Sequence, residues 1–388
     1  MNHKQRFVRL ADHVSLRLLE EPCLYDRRAD ELYELNPEAL EGLQRCRGDL
    51  TLEQAELETE FAEFCLQEGL LELSDQPRPK PLPICQGPLP SLRYLEAQVT
   101  WRCNLACAHC YLGKARPLDM EVSHFADLVR EFEAMGGLRL LVSGGEPLMH
   151  PRWDEINAAL AGLPVRRVLL SNGLRLDEKT LARLNCDEVQ ISLDGLQGGH
   201  ESLRGPGSFA KAVEAARRVA DCGLKLSIAT MAHVGNLDEM PGLAQLVEEL
   251  GAEEWGVDAP CIAGHLAQEP EMTLSAEQAA QAMEYAFGGA YHGGSGDMAC
   301  GLHLCTVGAD GKVAQCGFYF DAPLGLMQDG LWTCWARRKP LALSQVPVCA
   351  ACQSVENCGG GCRFRAPALD RPDPVMCALY GVNSSPRL

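Results

Sequence analysis

The stretch "VTWRCNLACAHCYLG", residues 99–113, holds Cys103, Cys107 and Cys110 at the spacing C-x3-C-x2-C. Thiolates bind soft and borderline metals, and four of them close a tetrahedral zinc site or ligate the four irons of an iron–sulfur cube. Three leave a vacancy. Either a distant fourth ligand completes a structural zinc site, or one iron of a [4Fe–4S] cluster stays open for a substrate or cofactor. Zinc sites favour paired C-x2-C arms, which weighs toward the open cluster.

Further polar and glycine-rich groups follow in order: "SGGEPLMH" (Gly144, Gly145, Glu146, Pro147), "SNG" (Ser171, Asn172, Gly173), "SLDG" (Ser192 to Gly195) and then Arg204. Any one of these is an ordinary turn sequence. Their regular recurrence needs an architecture that brings them together. From residue 94 the pattern supplies one. "YLEAQVT", "LRLLVS", "RRVLLS", "EVQISL", "LKLSIAT" and "EEWGVDA" read as six short strands separated by helical segments such as "SHFADLVREFEAM" and "SFAKAVEAARRVADCG". Six βα units predict an α/β fold with a parallel sheet, open or curled into a partial barrel, with its site at the C-terminal strand ends. Each motif follows one of these strands.

The flanks differ in character. Residues 1–75 are expected to form a small domain, with strands at "RFVRLA", "VSLRLLE" and within "DRRADELYELN". A helix opens at "NPEALEGLQRC", capped by Asn36 with Pro37 at its first position. "TLEQAELETEFAEFCLQEGLLEL" reads as one longer helical stretch with Leu57, Phe61, Phe64 and Leu66 on its apolar face. Six prolines between Pro77 and Pro90 make residues 76–93 a stiff linker. The alternation ends near residue 264. Residues 265–299 hold a lone helix, "TLSAEQAAQAMEYAF", and a Gly-rich bridge, "GGAYHGGSGDM". Residues 300–388 are rich in Cys, Gly and turns, with too few apolar residues for an unaided core.

Bulk properties exclude several classes. The 388 residues carry a net charge of −18, which disfavours sequence-independent nucleic-acid binding. Residues 51–75 alone carry eight carboxylates and no basic group, against DNA binding by the N-terminal domain. No run of 18 apolar residues suggests a membrane span and the N-terminus has no secretory pattern, so the expected compartment is the cytoplasm. Nineteen cysteines, an odd number with no secretory signal, argue for metal or iron–sulfur ligation rather than a disulfide framework.

"CNLACAHC" and "GGEP", with "SLDG" and "HESLRGPGSF", resemble the radical S-adenosylmethionine (SAM) enzymes over roughly residues 94–264. The resemblance implies a partial (β/α)6 barrel in which Cys103, Cys107 and Cys110 ligate three irons of a [4Fe–4S] cluster. The fourth iron would chelate SAM, and an electron would cleave it to methionine and a 5′-deoxyadenosyl radical. It implies that Gly144, Gly145 and Glu146, with Pro147 beside them, receive the SAM amino group. Ser192 and Asp194 would lie near the ribose, with Ser171 and Asn172 also at the cofactor. Arg204 would pair with the SAM carboxylate, and His109 would pack beside the adenine. Tyr111 and Asn104 are read as local packing and loop capping. A flavodoxin- or ferredoxin-type donor is the expected electron source.

The C-terminal cysteines carry a second resemblance. Cys300-x10-Gly311-x4-Cys316, then Cys349-x2-Cys352-x5-Cys358-x3-Cys362 and a gap to Cys377, resemble the SPASM domain of radical SAM peptide-modifying enzymes. The resemblance implies two auxiliary [4Fe–4S] clusters, three in all. One would use Cys300, Cys305, Cys316 and Cys362; the other would use Cys349, Cys352, Cys358 and Cys377. Cys334 is left as a packing residue. The N-terminal region resembles the PqqD-like domain, a winged-helix-like module that takes a precursor's leader peptide onto a strand edge.

Together these parts imply a maturase that installs a thioether or carbon–carbon crosslink in a ribosomally made precursor peptide. One alternative is a SPASM enzyme on another target: a sulfatase-type oxidation of Cys or Ser, or modification of a tetrapyrrole side chain. The sulfatase type places an Asp directly after the position of Cys316, where this chain has Gly317. An electron carrier without catalysis is a further alternative, disfavoured by the intact cysteine triplet.

Overall fold

The structure, a computed structural model, describes residues 5–82, 84–289 and 300–382. Most of the Gly-rich bridge lies outside the described residues. The N-terminal region contributes β1 (Phe7–Leu10), β2 (Val14–Leu18), β3 (Pro22–Asp26), β4 (Glu31–Glu34), β5 (Arg47–Thr51), β6 (Leu71–Ser74) and β7 (Cys85–Gln86). They form a three-stranded sheet, order β5-β1-β6, and a four-stranded sheet, order β4-β3-β2-β7. Asn36 caps the helix Pro37–Arg45 by accepting from the Ala39 amide.

The long helical stretch expected from residue 51 is instead a strand end, a turn, a helix and a strand. The helix runs only over Thr59–Gln67, where Glu58 accepts from the amides of Glu60 and Phe61. Glu56 at φ 53° breaks the chain before it, and Gly69 at φ 69° ends it. Ala62 and Cys65 are its buried residues, whereas Phe64 is 40% exposed and meets Tyr33 edge-on at 5.8 Å. The proline-rich segment is also more than a spacer. Arg78 and Lys80 donate backbone hydrogen bonds to Gly48 and Arg47, and β7 pairs in parallel with β2.

The parallel strands β8 (Tyr94–Thr100), β9 (Arg139–Gly144), β10 (Arg166–Ser171), β11 (Glu188–Ser192), β12 (Lys225–Met231) and β13 (Glu254–Asp258) stand in sequential order. They are the six strands the apolar runs predict. Leu95, Ala97, Val99, Val142, Leu169, Val189 and Ile228 face a core shared with Phe125, Leu128 and Phe132 of the helix Val122–Ala134, and with Ala212, Ala216 and Val219 of Ser208–Asp221. Each fully buried Phe, Leu, Ile or Val contributes about 1.5–3 kcal/mol to this layer.

The sheet does not end at β8. On that edge it continues through β14 (Leu304–Val307), parallel to β8, then antiparallel β15 (Lys312–Ala314) and β16 (Gly325–Leu326). The start of the Cys-rich region is therefore part of the barrel's own sheet, and the strands form an open, nine-membered sheet. The N-terminal sheets sit at the opposite end from the motif-bearing loops. Asp30 pairs with Arg139 and Arg166, the first residues of β9 and β10.

Candidate active site

Thr100 ends β8, and the cysteine loop starts at the C-terminal end of that strand. The loop is clamped by backbone: Ala108 N donates to Leu203 O (2.9 Å), and His265 donates from N to Cys110 O (3.0 Å) and from Nδ1 to Cys107 O (2.9 Å). The glycine motif of β9 lies directly against it. Gly145 N donates to Thr100 O and Glu146 N to Arg102 O, both at 2.8 Å. A Cβ at Gly144 would lie 2.1 Å from Thr100 O, and one at Gly145 would lie 2.4 Å from Arg102 O. Only glycines let the two strand-end loops meet.

Glu146 is 1% exposed, and its carboxylate is taken up inside the protein. It accepts from Ser171 Oγ (2.9 Å), Asn172 N (2.8 Å) and Leu148 N (3.3 Å). Burial pushes its carboxyl up, against the pull of these hydrogen bonds. Asn172 Nδ2 donates to Asn104 Oδ1 (2.8 Å), so the "SNG" turn braces the cysteine loop as well. Glu146 thus ties β9's end to β10's end, with its carboxylate spent inside the protein.

These loops enclose a cavity of about 220 Å³. Cys103, Cys107, Cys110, His109, Gly144, Gly145, Glu146, Ser171, Asn172, Ser192 and Arg204 all line it. Pro147 does not; it starts a buried helical turn behind the wall. Asp194 does not either. It is fully buried, accepting from Met231 N (2.8 Å) and from Arg204 Nε. Burial alone would raise its pKa, but the Arg204 guanidinium outweighs this and holds it down at about 2. The arginine that the resemblance gives to the SAM carboxylate is therefore held in place by the aspartate it gives to the ribose.

A Radical SAM superfamily model matches residues 98–247. Mycofactocin maturase MftC of Mycobacterium ulcerans is 31% identical over 325 residues, covering 73% of this chain and 87% of that protein. The chain belongs to the radical SAM superfamily. PqqA peptide cyclase of Methylorubrum extorquens is 29% identical over 187 residues, 46% of this chain and 47% of that protein. In fold, the chain is similar to Streptococcus suis SuiB bound to precursor peptide SuiA, with a TM-score of 0.69 at 15% identity, covering 95% of this chain and 99% of that one.

The cavity fits what a radical SAM enzyme must hold. Three thiols share its wall with a glycine loop bare of side chains. His109 Nδ1 is buried with no hydrogen-bond partner among the described residues, a polar atom left for a ligand. Burial drives the His109 imidazole down to about 4, so it is neutral near pH 7. Burial also raises all three thiols, Cys107 to about 11, so a bound metal would be needed to hold them as thiolates. Among the described residues no three His, Cys, Asp or Glu side chains converge as they would round one metal ion. A cluster instead spreads its thiolates over separate irons.

The C-terminal cysteines fall into two groups. Burial raises Cys349, Cys358 and Cys377, and each is raised further by thiols of the same group: Cys349 by Cys352, Cys358 by Cys349 and Cys352, and Cys377 by Cys358, Cys349 and Cys352. The other group lies round Cys362: the amide of the next residue, Arg363, donates to Cys300 Sγ at 3.3 Å. Cys305 is fully buried in the apolar core cluster that also holds Val307, Cys334 and Trp335. Cys334 packs there too, its thiol donating to Leu326 O (3.3 Å).

Several cavity residues escape the sequence reading. Glu96, on β8, accepts from Ser143 Oγ (2.6 Å), Thr306 Oγ1 (2.9 Å) and Tyr111 OH (3.3 Å), and both Glu96 and Ser143 line the cavity. A carboxylate on the polar alternate face of "YLEAQVT" was the available signal. Tyr111, beyond local packing, reaches toward the Cys-rich region: its ring lies 4.9 Å from that of Phe318. No helix among the described residues is long and apolar enough to cross a membrane.

Proposed function

We propose that this radical SAM enzyme modifies a ribosomally made precursor peptide, installing a thioether or carbon–carbon crosslink. The observation that carries the reading is the cavity itself, where three thiols, a side-chain-free glycine wall, Arg204 and the unpartnered His109 Nδ1 converge at the C-terminal strand ends. When bound, a [4Fe–4S] cluster and SAM supply one-electron cleavage of a sulfonium C–S bond and hydrogen-atom abstraction. Cys103, Cys107 and Cys110 would hold the cluster. Gly144 and Gly145 would present backbone to the SAM amino group, Arg204 would face its carboxylate, and His109 would bond the adenine. Two further clusters would be held by the C-terminal thiols, and a flavodoxin- or ferredoxin-type protein would deliver the electron.

The relatives' names support a peptide substrate: a mycofactocin maturase, a PqqA peptide cyclase and a SuiB structure with its precursor peptide bound. Within the chain, β4 and β6 stand at the edges of the N-terminal sheets, where a leader could add a strand. This PqqD-like role would tether the core peptide and raise its local concentration at the cavity. The sulfatase-type alternative finds no carboxylate at Gly317, whose backbone lies against the Tyr111 ring.

The test is anaerobic reconstitution of the full chain, then SAM, dithionite and the precursor encoded beside the gene. The expected result is 5′-deoxyadenosine together with a peptide lighter by two hydrogens per crosslink. Formation of 5′-deoxyadenosine with the peptide mass unchanged would overturn the crosslinking reading. Equal binding of precursor with and without its leader would overturn the tether.

A further inference from the structure

We propose that Cys261, not Cys305, is the fourth thiolate of the auxiliary cluster held with Cys300, Cys316 and Cys362. The proposal rests on the auxiliary-cluster reading above and assigns its ligands differently from the cysteine spacing.

Strand geometry removes Cys305. In the parallel pairing of β14 with β8, Cys305 stands beside Leu95, Thr306 beside Glu96 and Val307 beside Ala97. Successive side chains of a strand point to opposite faces. Cys305, Leu95 and Val307 are all fully buried and belong to the same helix-backed core cluster. Thr306 takes the other face, donating to Glu96 at the cavity. Cys316 belongs on that cavity side. The next residue, Gly317, lies where a Cβ would be 3.0 Å from the Tyr111 ring, and Tyr111 donates to Glu96. A hydrogen-bonded strand cannot turn one residue to its other face without slipping its register.

Three other cysteines gather on the cavity side around Cys362. Arg363 N donates to Cys300 Sγ (3.3 Å). Phe318 and Tyr319, just after Cys316, meet the ring of Phe364 at 4.9 and 5.6 Å. Cys261 brings its own sulfur to 3.9 Å from Cys362 Sγ. The loop after β13 that carries Cys261 is fastened to the Cys362 loop: Arg365 Nη1 donates to Asp258 Oδ1 (2.6 Å) and Ala259 O (3.2 Å), while its Nη2 donates to Asp373 Oδ2 (2.7 Å). Asp373 Oδ2 in turn accepts from Cys362 N at 2.9 Å. Two thiols this close have to part, by side-chain rotation, to admit a cluster. The arrangement would fasten the C-terminal region to the sixth barrel strand through iron.

The experiment is anaerobic reconstitution of the full-length wild type and of Cys261→Ala and Cys305→Ala, read by iron and sulfide content and by electron paramagnetic resonance. Wild type should bind about twelve irons. About four would defeat the auxiliary-cluster reading, and this assignment with it. With wild type loaded, Cys261→Ala should lose up to about four irons, or give a [3Fe–4S] signal on mild oxidation. Cys305→Ala should keep wild-type iron and spectra and lose only thermal stability. The reverse pattern, or wild-type spectra for Cys261→Ala, would overturn the proposal. Because Cys261→Ala can lose iron simply by misfolding, Cys261→Ser is measured beside it. An oxygen ligand should shift the cluster's reduction potential and g-values, and unchanged values would count against ligation.

Discussion

Arg166 donates twice to the Glu188 carboxylate, at 3.0 and 2.8 Å, with both side chains 2% exposed at the N-terminal ends of β10 and β11. Its remaining nitrogen donates to the carbonyls of Arg27 and Arg28, at 3.0 and 3.1 Å. One guanidinium thus joins the barrel floor to the N-terminal sheet. Removing it leaves a buried carboxylate without its partner, which typically costs about 3–5 kcal/mol. Arg166→Met should lower the melting temperature and expose residues 76–93 to protease, as measured by limited proteolysis. Wild-type resistance would mean that the floor pairing does not hold the N-terminal region. The location also constrains a leader tether, because a peptide bound there must run the length of the barrel to the cavity.

At the cavity end, Asp194 and Arg204 form the matching buried pair. The Asp194 pKa falls from 3.8 to about 2. A folded pKa below the unfolded one stabilises the protein above about pH 4, and this part is lost as pH falls toward 2. The pH-dependent part is about 2 kcal/mol. Asp194→Asn should therefore be less stable than wild type at neutral pH, and the gap should narrow between pH 4 and 2 in denaturant titrations. The variant should also bind S-adenosylhomocysteine more weakly, because Arg204 loses the group that orients it. A gap that stays constant with pH would show that the carboxylate charge is not what matters.

The barrel was legible because its strands are short apolar runs, the first four of which lead into a cysteine-, glycine- or polar-rich motif. The motifs then fall where a parallel sheet puts them. The strands missed were of another kind. β3, β5 and β6 pair within small antiparallel sheets where segments such as "RGDLT" show little apolar content, and β14 takes its place beside β8 across some two hundred residues of chain. Side-chain partnerships were least legible. Spacing shows that Glu146, Asp194 and Arg204 come near the cavity, but only packing shows that Glu146 is spent on Ser171 and Asn172, and Asp194 on Arg204. Cys305 fell in register with a ligand motif, while strand alternation put it in the core.

His109 carries the clearest prediction for ligand binding. Its Nδ1 is buried without a partner among the described residues, and burial lowers its pKa to about 4. A neutral imidazole neither gains nor loses a proton between pH 6 and 8, so its contribution should be flat there. His109→Phe keeps the ring and removes the hydrogen bond, which is worth about 0.5–1.5 kcal/mol. S-adenosylhomocysteine affinity should fall by about three- to tenfold by calorimetry, with the iron content unchanged. Unaltered affinity would leave His109 as packing alone.

Cys107 tests whether the three thiol sets are independent. It is buried in the cavity wall, and its loop is clamped by Leu203 and His265 rather than by the C-terminal region. The C-terminal region meets that loop at Tyr111, against Gly317 and Phe318. Cys107→Ala should therefore abolish SAM cleavage while keeping roughly two-thirds of the iron of a fully loaded wild type. Iron and sulfide assays with 5′-deoxyadenosine quantification decide the matter. Loss of all iron would mean that the cavity cluster must be in place before the C-terminal thiols can hold theirs, a coupling for which the Tyr111–Phe318 contact and the loop from Cys261 to His265 are physical routes.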